Sequence, residues 1–227
     1  MSDLDRFIDT FLNGAVLARY APDILRGVWV TVELSVLIVI AGTALGTLLA
    51  CIRAYRIAPV SFLIVVYADV FRALPPLVLI LLAYFGLPNV GVSLSSFAVL
   101  FAILCLTLGA FAEEIVWAGI TATDRGQWEA ARPTGLGFTQ TLVHVVLPQA
   151  VRMVIPPLTN RAIAITKMTA LGTVIGVPDI LNQATTAQSF SGNASPLTLA
   201  AVAYVVLFLP FVILSRWLES RFAWRKI

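Results

Sequence analysis

Long apolar stretches dominate this chain and constrain its fold more than any other feature. A helix needs about 20 apolar residues to cross the roughly 30 Å hydrocarbon core of a bilayer. About five stretches reach that length, at residues 24–50, 59–85, 96–120, 150–171 and 197–218. With 59% hydrophobic residues and a mean hydropathy of +0.94, the 227-residue chain is too apolar for a soluble domain. It is predicted to be an all-α integral membrane protein with about five transmembrane helices.

Basic residues indicate how these helices are oriented, because cytoplasmic loops carry an excess of Lys and Arg. They follow the first stretch, occupy the central loop and recur in the C-terminal tail: Arg53, Arg56, Arg125, Arg132, Arg216, Arg221, Arg225 and Lys226. The opposite loops, residues 86–95 and 172–196, contain neither Lys nor Arg. This predicts a cytoplasmic C-terminus and an N-terminus outside. The net charge of +3 then reflects topology and does not indicate nucleic-acid binding.

The segment before the first stretch, residues 1–23, has a pattern of its own. Its apolar residues, among them Leu4, Phe7 and Phe11, recur at helical spacing, with acidic residues on other faces. This favours a helix in the outer interface of the membrane over a disordered leader. Acidic residues stand where a secretory signal would carry basic ones. The predicted division is residues 1–23, a membrane domain at 24–218 and a tail at 219–227.

A polar stretch at residues 127–150 interrupts the apolar pattern. Glu129 and the two alanines after it favour a helix, and Pro133 ends or restarts it. Gly135 and Gly137 allow a sharp change of direction, and a second periodic run continues to Pro148. We expect two short helices joined at an angle, a shape suited to insertion into a groove.

The spacing in this stretch resembles the EAA signature of binding-protein-dependent ABC importer permeases, EAA-x3-G-x9-I-x-L-P, with Val145 in the Ile position. The resemblance implies a type I importer permease domain at 24–218, whose loop at 121–149 forms coupling helices that dock into a cytoplasmic ATPase. The implied ATPase-coupling residues are Glu129, Ala130, Ala131, Gly135, Leu147 and Pro148. The alternative is a cytoplasmic loop without a partner.

Other segments resemble the polar amino acid branch of that family. Residues 71–75 are similar to FRGTP, 109–120 to GAYxAEIxRGGI, 148–152 to PQAxR and 167–171 to KDTSL. The departures are Ala73, Leu74, Trp117, Met168 and Ala170. The resemblance implies import of polar or charged amino acids or related compounds by alternating access. Alternatives are the same machine for another solute, such as methionine, an opine or an organic anion, and, less favoured, a passive channel or a membrane enzyme.

Polar and charged residues inside the stretches form the candidate translocation path, because such groups in membranes mark pathways or pairs. The candidates are Arg72, Glu113, Glu114, Asn160, Arg161 and Lys167. Arg72 could instead pair with Asp69, and the two glutamates with Arg72, Arg125 or a partner chain. Lys167 could extend to the membrane interface. Gly42 and Gly46 form a GxxxG pair, for packing within the chain or against a second subunit.

No motif for catalysis or metal binding is present: the sequence lacks a phosphate loop, HExxH and CxxC, and has one histidine. The chain is therefore predicted not to be an enzyme, with ATP and Mg²⁺ held by the partner ATPase. The resemblance further implies the cytoplasmic membrane of a bacterium, an ATPase dimer, a second permease copy or paralogue, and an external solute-binding protein. The loop at 172–196 is expected to face that binding protein.

Overall fold

The computed structural model describes residues 2–222 of the chain. Arg225 and Lys226, counted above among the cytoplasmic charges, lie outside the described residues. The α-helices of the described part are α1 (Asp3–Phe11), α2 (Gly14–Arg53), α3 (Ala58–Ala73), α4 (Pro76–Gly86), α5 (Ser96–Ala122), α6 (Arg125–Ala131), α7 (Phe138–Thr141), α8 (Leu147–Lys167), α9 (Ile180–Ser191) and α10 (Ser195–Phe222). Leu87–Val90 and Met168–Ile175 are 3₁₀ helices, and Leu142–Val146 is a π-helical segment.

Four helices among the described residues are long and apolar enough to cross a membrane, or five if a broken pair counts as one span. The four lie within Asp3–Arg53, Ser96–Ala122, Phe138–Ile175 and Ser195–Arg221. The broken pair is α3 with α4 and its 3₁₀ extension, bent by 101°. The predicted all-α membrane fold is confirmed.

The continuous helix predicted over residues 59–85 is wrong, and two prolines explain why. Leu74 has an extended backbone, with φ −88° and ψ 137°. Pro75 disfavours a helical conformation at the residue before it, and it has no N–H to donate to the preceding turn. Pro76 is the first residue of α4, a position that needs no donor.

The N-terminal segment forms a helix that ends earlier than residue 23. Ser2 caps α1 through a capping box with Asp5, and the apolar residues of α1 are exposed. The long α2 already begins at Gly14 and continues through Pro22. The backbone N–H of Asn13 donates to Ser195 Oγ at 2.9 Å, which ties the connection between α1 and α2 to the start of α10.

The described chain divides into two compact units. The first comprises residues 2–37, 77–103 and 166–212, and its apolar core contains Ile24, Ile180, Ala184 and Ala200. Asp179 caps α9 there, accepting from the Asn182 N–H at 2.9 Å and the Thr173 hydroxyl at 3.0 Å. Burial raises the pKa of the Asp179 carboxyl, and these hydrogen bonds oppose the rise.

The second unit comprises residues 38–76, 104–165 and 213–222. Close packing of α2 on α5 organises it. A Cβ atom at Gly42 would lie 2.9 Å from Leu108 Cβ, and one at Gly46 would lie 2.4 Å from Ala112 Cβ. The GxxxG pair therefore packs within the chain. It brings the end of α2 beside the acidic part of α5.

Candidate coupling region and charged membrane cluster

Two short helices with a turn between them form the coupling region, defined as residues 124–142, and this confirms their prediction. The Asp124 side chain caps α6 by accepting from the Gly126 N–H at 2.6 Å. In the turn, Gly135 has φ +83°, a left-handed conformation that favours glycine. Gly137 has φ −69° and precedes α7, with its N–H donating to Gln140 Oε1 at 3.0 Å. Of these two glycines, only Gly135 has a backbone conformation that requires the conformational freedom of glycine.

The second short helix does not stop at Pro148 as the apolar run suggested. The chain continues from α7 through the π-helical segment into α8, which begins at Leu147. Pro148 lies in the first turn of α8, directly after the π-helical segment, where the Leu147 N–H donates to the Leu142 carbonyl. Leu147 and Pro148 thus belong to the start of a membrane helix.

Three aromatic rings position the coupling helices on the rest of their unit. The ring centroids of Tyr55 and Phe138 are 4.9 Å apart, and those of Trp128 and Phe138 are 5.2 Å apart. The hydroxyls of Tyr55 and Thr139 lie 2.9 Å apart. This aromatic cluster of Tyr55, Trp128 and Phe138 joins the turn after α2 to both α6 and α7. The sequence did not single it out, because the rings are far apart along the chain.

The predicted coupling residues differ in accessibility. Glu129, Ala130 and Gly135 are exposed, whereas Ala131, the last residue of α6, is buried. A cavity of about 590 Å³ opens beside them, lined in part by Arg56, Arg125 and Arg132 and by the aromatic cluster. The exposed face of α6 and the turn at Gly135 form a surface that another protein can contact.

Inside the membrane helices, Glu113 makes a buried ion pair. Its side chain is 0% exposed, and Arg53 Nη1 lies 2.9 Å from Glu113 Oε1. The Arg53 guanidinium also lies 4.6 Å from the Trp117 ring centroid. Arg53, interpreted above only as a cytoplasmic charge, is therefore a partner of the candidate path. The GxxxG pair is the feature of the sequence that points to this role of Arg53. Arg53 follows Gly46 by two helical turns, and helical side chains tilt towards the N-terminus, so the Arg53 side chain extends back towards the level of Gly46.

Glu114 makes a second ion pair with Arg72, so Arg72 does not use Asp69 as its partner. Two arginines, Arg72 and Arg161, lie close to the ring of Phe111. The Arg72 guanidinium lies 6.0 Å from the ring centroid and the Arg161 guanidinium 3.9 Å from it. We call Arg72, Phe111, Glu114 and Arg161, together with the Arg53–Glu113 pair, the charged cluster. Five of its members are charged, and exposing any one of them to lipid without a partner would cost free energy.

The remaining path candidates have separate partners. Asn160 Oδ1 accepts from the Ser215 hydroxyl at 2.6 Å, and its amide donates to Glu219. Lys167 belongs to the first unit, where its Nζ lies 5.8 Å from the Phe208 ring centroid. The structure thus brings Arg72 and Arg161 to one ring and pairs Glu114 with Arg72, whereas the aromatic partner of Lys167 is Phe208.

Known proteins match most of the chain. Residues 42–224 match the family described as "Binding-protein-dependent transport system inner membrane component". The chain belongs to this family. The permease is 32% identical over 213 residues to the probable glutamine ABC transporter permease protein GlnP of Bacillus subtilis (strain 168), covering 90% of this chain and 98% of that protein. It is 33% identical over 202 residues to the arginine transport system permease protein ArtQ of the same organism, covering 88% and 92%.

Solved structures of two ABC transporters also match the chain. The crystal structure of an amino acid ABC transporter with histidines matches the permease with a TM-score of 0.81 and 33% identity, over 90% of this chain and 96% of that one. An inward-facing MetNI methionine ABC transporter matches with a TM-score of 0.68 and 22% identity, over 87% and 95%, which supports the fold alone. The permease has the type I ABC importer permease fold. It is a multi-pass membrane protein and the translocation subunit of an importer, and not itself an enzyme.

Proposed function

We propose that the permease imports polar or charged amino acids, or closely related compounds, by alternating access. The charged cluster around Phe111 carries this proposal, because charged side chains inside membrane helices are costly and mark pathways for polar solutes. The relatives named for glutamine and arginine transport support the same substrate class.

The driving force comes from a separate ATPase dimer that binds ATP and Mg²⁺. It docks on the coupling region, where Glu129, Ala130 and Gly135 are exposed and the aromatic cluster supports the two short helices from beneath. Docking transmits work only if it favours one conformation of the permease over the other. Because Tyr55 lies in the turn after α2, the aromatic cluster connects the coupling region directly to α2.

The remaining partners follow from the proposed topology, with the N-terminus outside and the C-terminus in the cytoplasm of a bacterium. A solute-binding protein delivers substrate to the outer loops at residues 86–95 and 172–196, which lack basic residues. A second permease copy or paralogue encloses the other half of the path. The exposed apolar face of α1 rests in the outer interface of the membrane.

The test is to co-purify the permease with the ATPase and binding protein encoded beside it and to measure ATP hydrolysis and uptake in proteoliposomes. The panel contains L-glutamine, L-arginine, L-cystine, L-methionine and an opine. We expect one polar amino acid to stimulate hydrolysis and to accumulate inside. Stimulation by methionine or by the opine alone would replace the amino acid assignment, and leakage of solute without ATP would favour a channel.

A further inference from the structure

A cavity in the second unit carries positive charge that the proposed transport leaves unused. Its volume is about 590 Å³, and residues from the turn after α2, the end of α5 and the coupling region line it. Four of these lining residues are charged: Arg56, Arg125, Arg132 and Glu129. None of the four forms an ion pair with a residue that the structure describes. Because only one of them is a carboxylate, the cavity has an excess of positive charge that attracts an anion.

Arg56 differs from the other lining residues because its backbone is strained. Its φ is +56°, and among the described residues it is the one residue other than glycine with a positive φ. Its N–H donates to the Arg53 carbonyl at 3.0 Å, directly after α2 ends. Glycine is the usual residue where a helix ends in this way, because glycine adopts the left-handed conformation without strain. Strained residues of this kind cluster at ligand sites, so the Arg56 side chain calls for a function.

The three arginines match the chemistry of a phosphate group. A guanidinium presents its N–H donors in a planar fork, which fits two phosphate oxygens at once. All three arginines are exposed, so a ligand in the cavity can reach their donors. Asp124, which precedes Arg125, caps α6 and does not line the cavity. The volume lies within the range of about 300 to 1,000 Å³ that is typical of ligand pockets.

The surroundings of the cavity favour a lipid phosphate over a soluble one. The cavity lies where α2 and α5 end, and the rings of Trp117 and of the aromatic cluster line it, as is typical of the interface between hydrocarbon and water. Directly after Arg56 the chain enters α3 through apolar residues, of which Ile57 is 54% and Leu63 66% exposed. A phospholipid uses both surfaces, because its headgroup binds arginines and its acyl chains pack on apolar side chains. A soluble phosphate uses only the first.

We propose that this cavity binds the phosphate group of an anionic phospholipid from the surrounding bilayer, and that Arg56, Arg125 and Arg132 donate to its oxygens. Basic pockets between membrane helices near the membrane surface bind headgroups of this kind. Because Trp128 and Glu129 of α6 also line the cavity, the bound lipid contacts the coupling region. The inference goes beyond the proposed transport and does not depend on which solute is imported.

The test is native mass spectrometry of the solubilised complex of permease and ATPase, titrated with dioctanoyl phosphatidylglycerol. Dioctanoyl phosphatidylcholine and inorganic phosphate are titrated in parallel. We expect phosphatidylglycerol to bind saturably and at least about tenfold more tightly than phosphatidylcholine, whose choline cation offsets the phosphate charge. Arg125→Gln and Arg132→Gln should each weaken the binding of phosphatidylglycerol by about fivefold.

Arg56→Gly separates ligand binding from a structural role. It removes the guanidinium and places at φ +56° a residue that adopts this conformation without strain. We expect phosphatidylglycerol to bind about fivefold more weakly, while the unfolding temperature of the complex without added lipid stays the same or rises. Arg56→Lys keeps the charge and should lose less affinity than Arg56→Gly. A structural defect would instead lower the unfolding temperature.

The matched control is Arg216→Gln, which removes the same charge from an exposed arginine of the same unit that does not line the cavity. It should bind phosphatidylglycerol like the wild type. An equal loss of affinity in Arg216→Gln would reduce the effect to general surface charge and overturn the inference. Equal affinity of the wild type for the two lipids would overturn it as well, and that comparison requires no variant.

Two other outcomes would assign the cavity to another ligand and overturn the inference. Inorganic phosphate that displaces phosphatidylglycerol at equal concentration would make the cavity a site for soluble anions. Arginine variants that keep their affinity for phosphatidylglycerol but lose the ATPase would make the three arginines part of the ATPase contact. In either case the uptake of amino acids by the wild type remains the separate test of the proposed function.

Discussion

The coupling region and the charged cluster belong to the same compact unit but are held together by different forces. In the coupling region, stacked rings and one left-handed glycine shape two short helices whose outer surface stays exposed. In the charged cluster, two ion pairs neutralise groups that lie inside membrane helices, and arginine–aromatic contacts add a weaker attraction. The first arrangement suits a docking surface, and the second suits a polar site in an apolar environment.

This difference predicts how each region responds to mutation. An exposed residue of the coupling region can change without loss of fold, so its variants should lose communication with the ATPase first. A buried charge cannot lose its partner without destabilising the helices around it. Variants of the Arg53–Glu113 pair should therefore lose stability first.

Gly46→Leu should have the largest effect, because it separates α2 from α5 and with them both halves of the Arg53–Glu113 pair. A Cβ at this position would already lie 2.4 Å from Ala112 Cβ and 2.6 Å from the Glu113 backbone nitrogen. Overpacking of this kind costs about 3 kcal/mol or more when backbone must move. We expect little folded permease in the membrane, measured by yield and by monodispersity after solubilisation.

Gly14→Leu is the matched control on the same helix, since a Cβ at Gly14 meets no atom within 4 Å. It should accumulate like the wild type. A normal yield of folded Gly46→Leu would mean that α2 and α5 are not closely packed. The packing that brings Arg53 beside Glu113 would then be wrong.

Glu113→Gln should have a smaller effect on stability. It leaves Arg53 without its anion, and breaking a fully buried ion pair costs about 3–5 kcal/mol. Because the Arg53 side chain is 22% exposed, we expect the lower part of that range or less, about 2–3 kcal/mol. Thermal unfolding of the solubilised protein measures it. Glu114→Gln, at a side chain that is 50% exposed, should be clearly milder; equal destabilisation would show that burial does not distinguish the two pairs.

Tyr55→Phe should have the smallest effect and tests how the aromatic cluster acts. The variant keeps the ring 4.9 Å from Phe138 and loses only the contact between the hydroxyls of Tyr55 and Thr139. One such hydrogen bond contributes about 1 kcal/mol or less. We expect nearly normal uptake, and a clear loss of uptake in Tyr55→Ala. A Tyr55→Ala variant with full uptake would remove the rings from the coupling route.

Local features were predictable from the sequence. The number of membrane helices was predictable from the length of the apolar stretches. The turn between α6 and α7 was predictable from Pro133, which ends or restarts a helix, and from Gly135, which allows a sharp change of direction. The break at Leu74 was visible in the two prolines after it, but the continuous apolar composition favoured a single helix.

The pairing of charges could not be predicted from local pattern. Arg53 and Glu113 are far apart along the chain, and their contact depends on how closely α2 packs on α5. For Arg72, Asp69 was the nearer choice by sequence, yet Glu114 on a neighbouring helix is the partner that the packing brings into reach. Long-range packing therefore selects a partner that sequence spacing does not favour.

The most direct test of the coupling assignment is Gly135→Asp in the reconstituted complex, with uptake and substrate-stimulated ATP hydrolysis measured together. A Cβ atom here would meet no atom within 4 Å, so a side chain has room to project from the exposed turn and alter the docking surface, while it imposes strain on a backbone with φ +83°. We predict that the variant remains in the membrane and loses both activities, whereas Gly137→Ala, at φ −69°, keeps them. Full uptake and stimulation in Gly135→Asp would contradict the account.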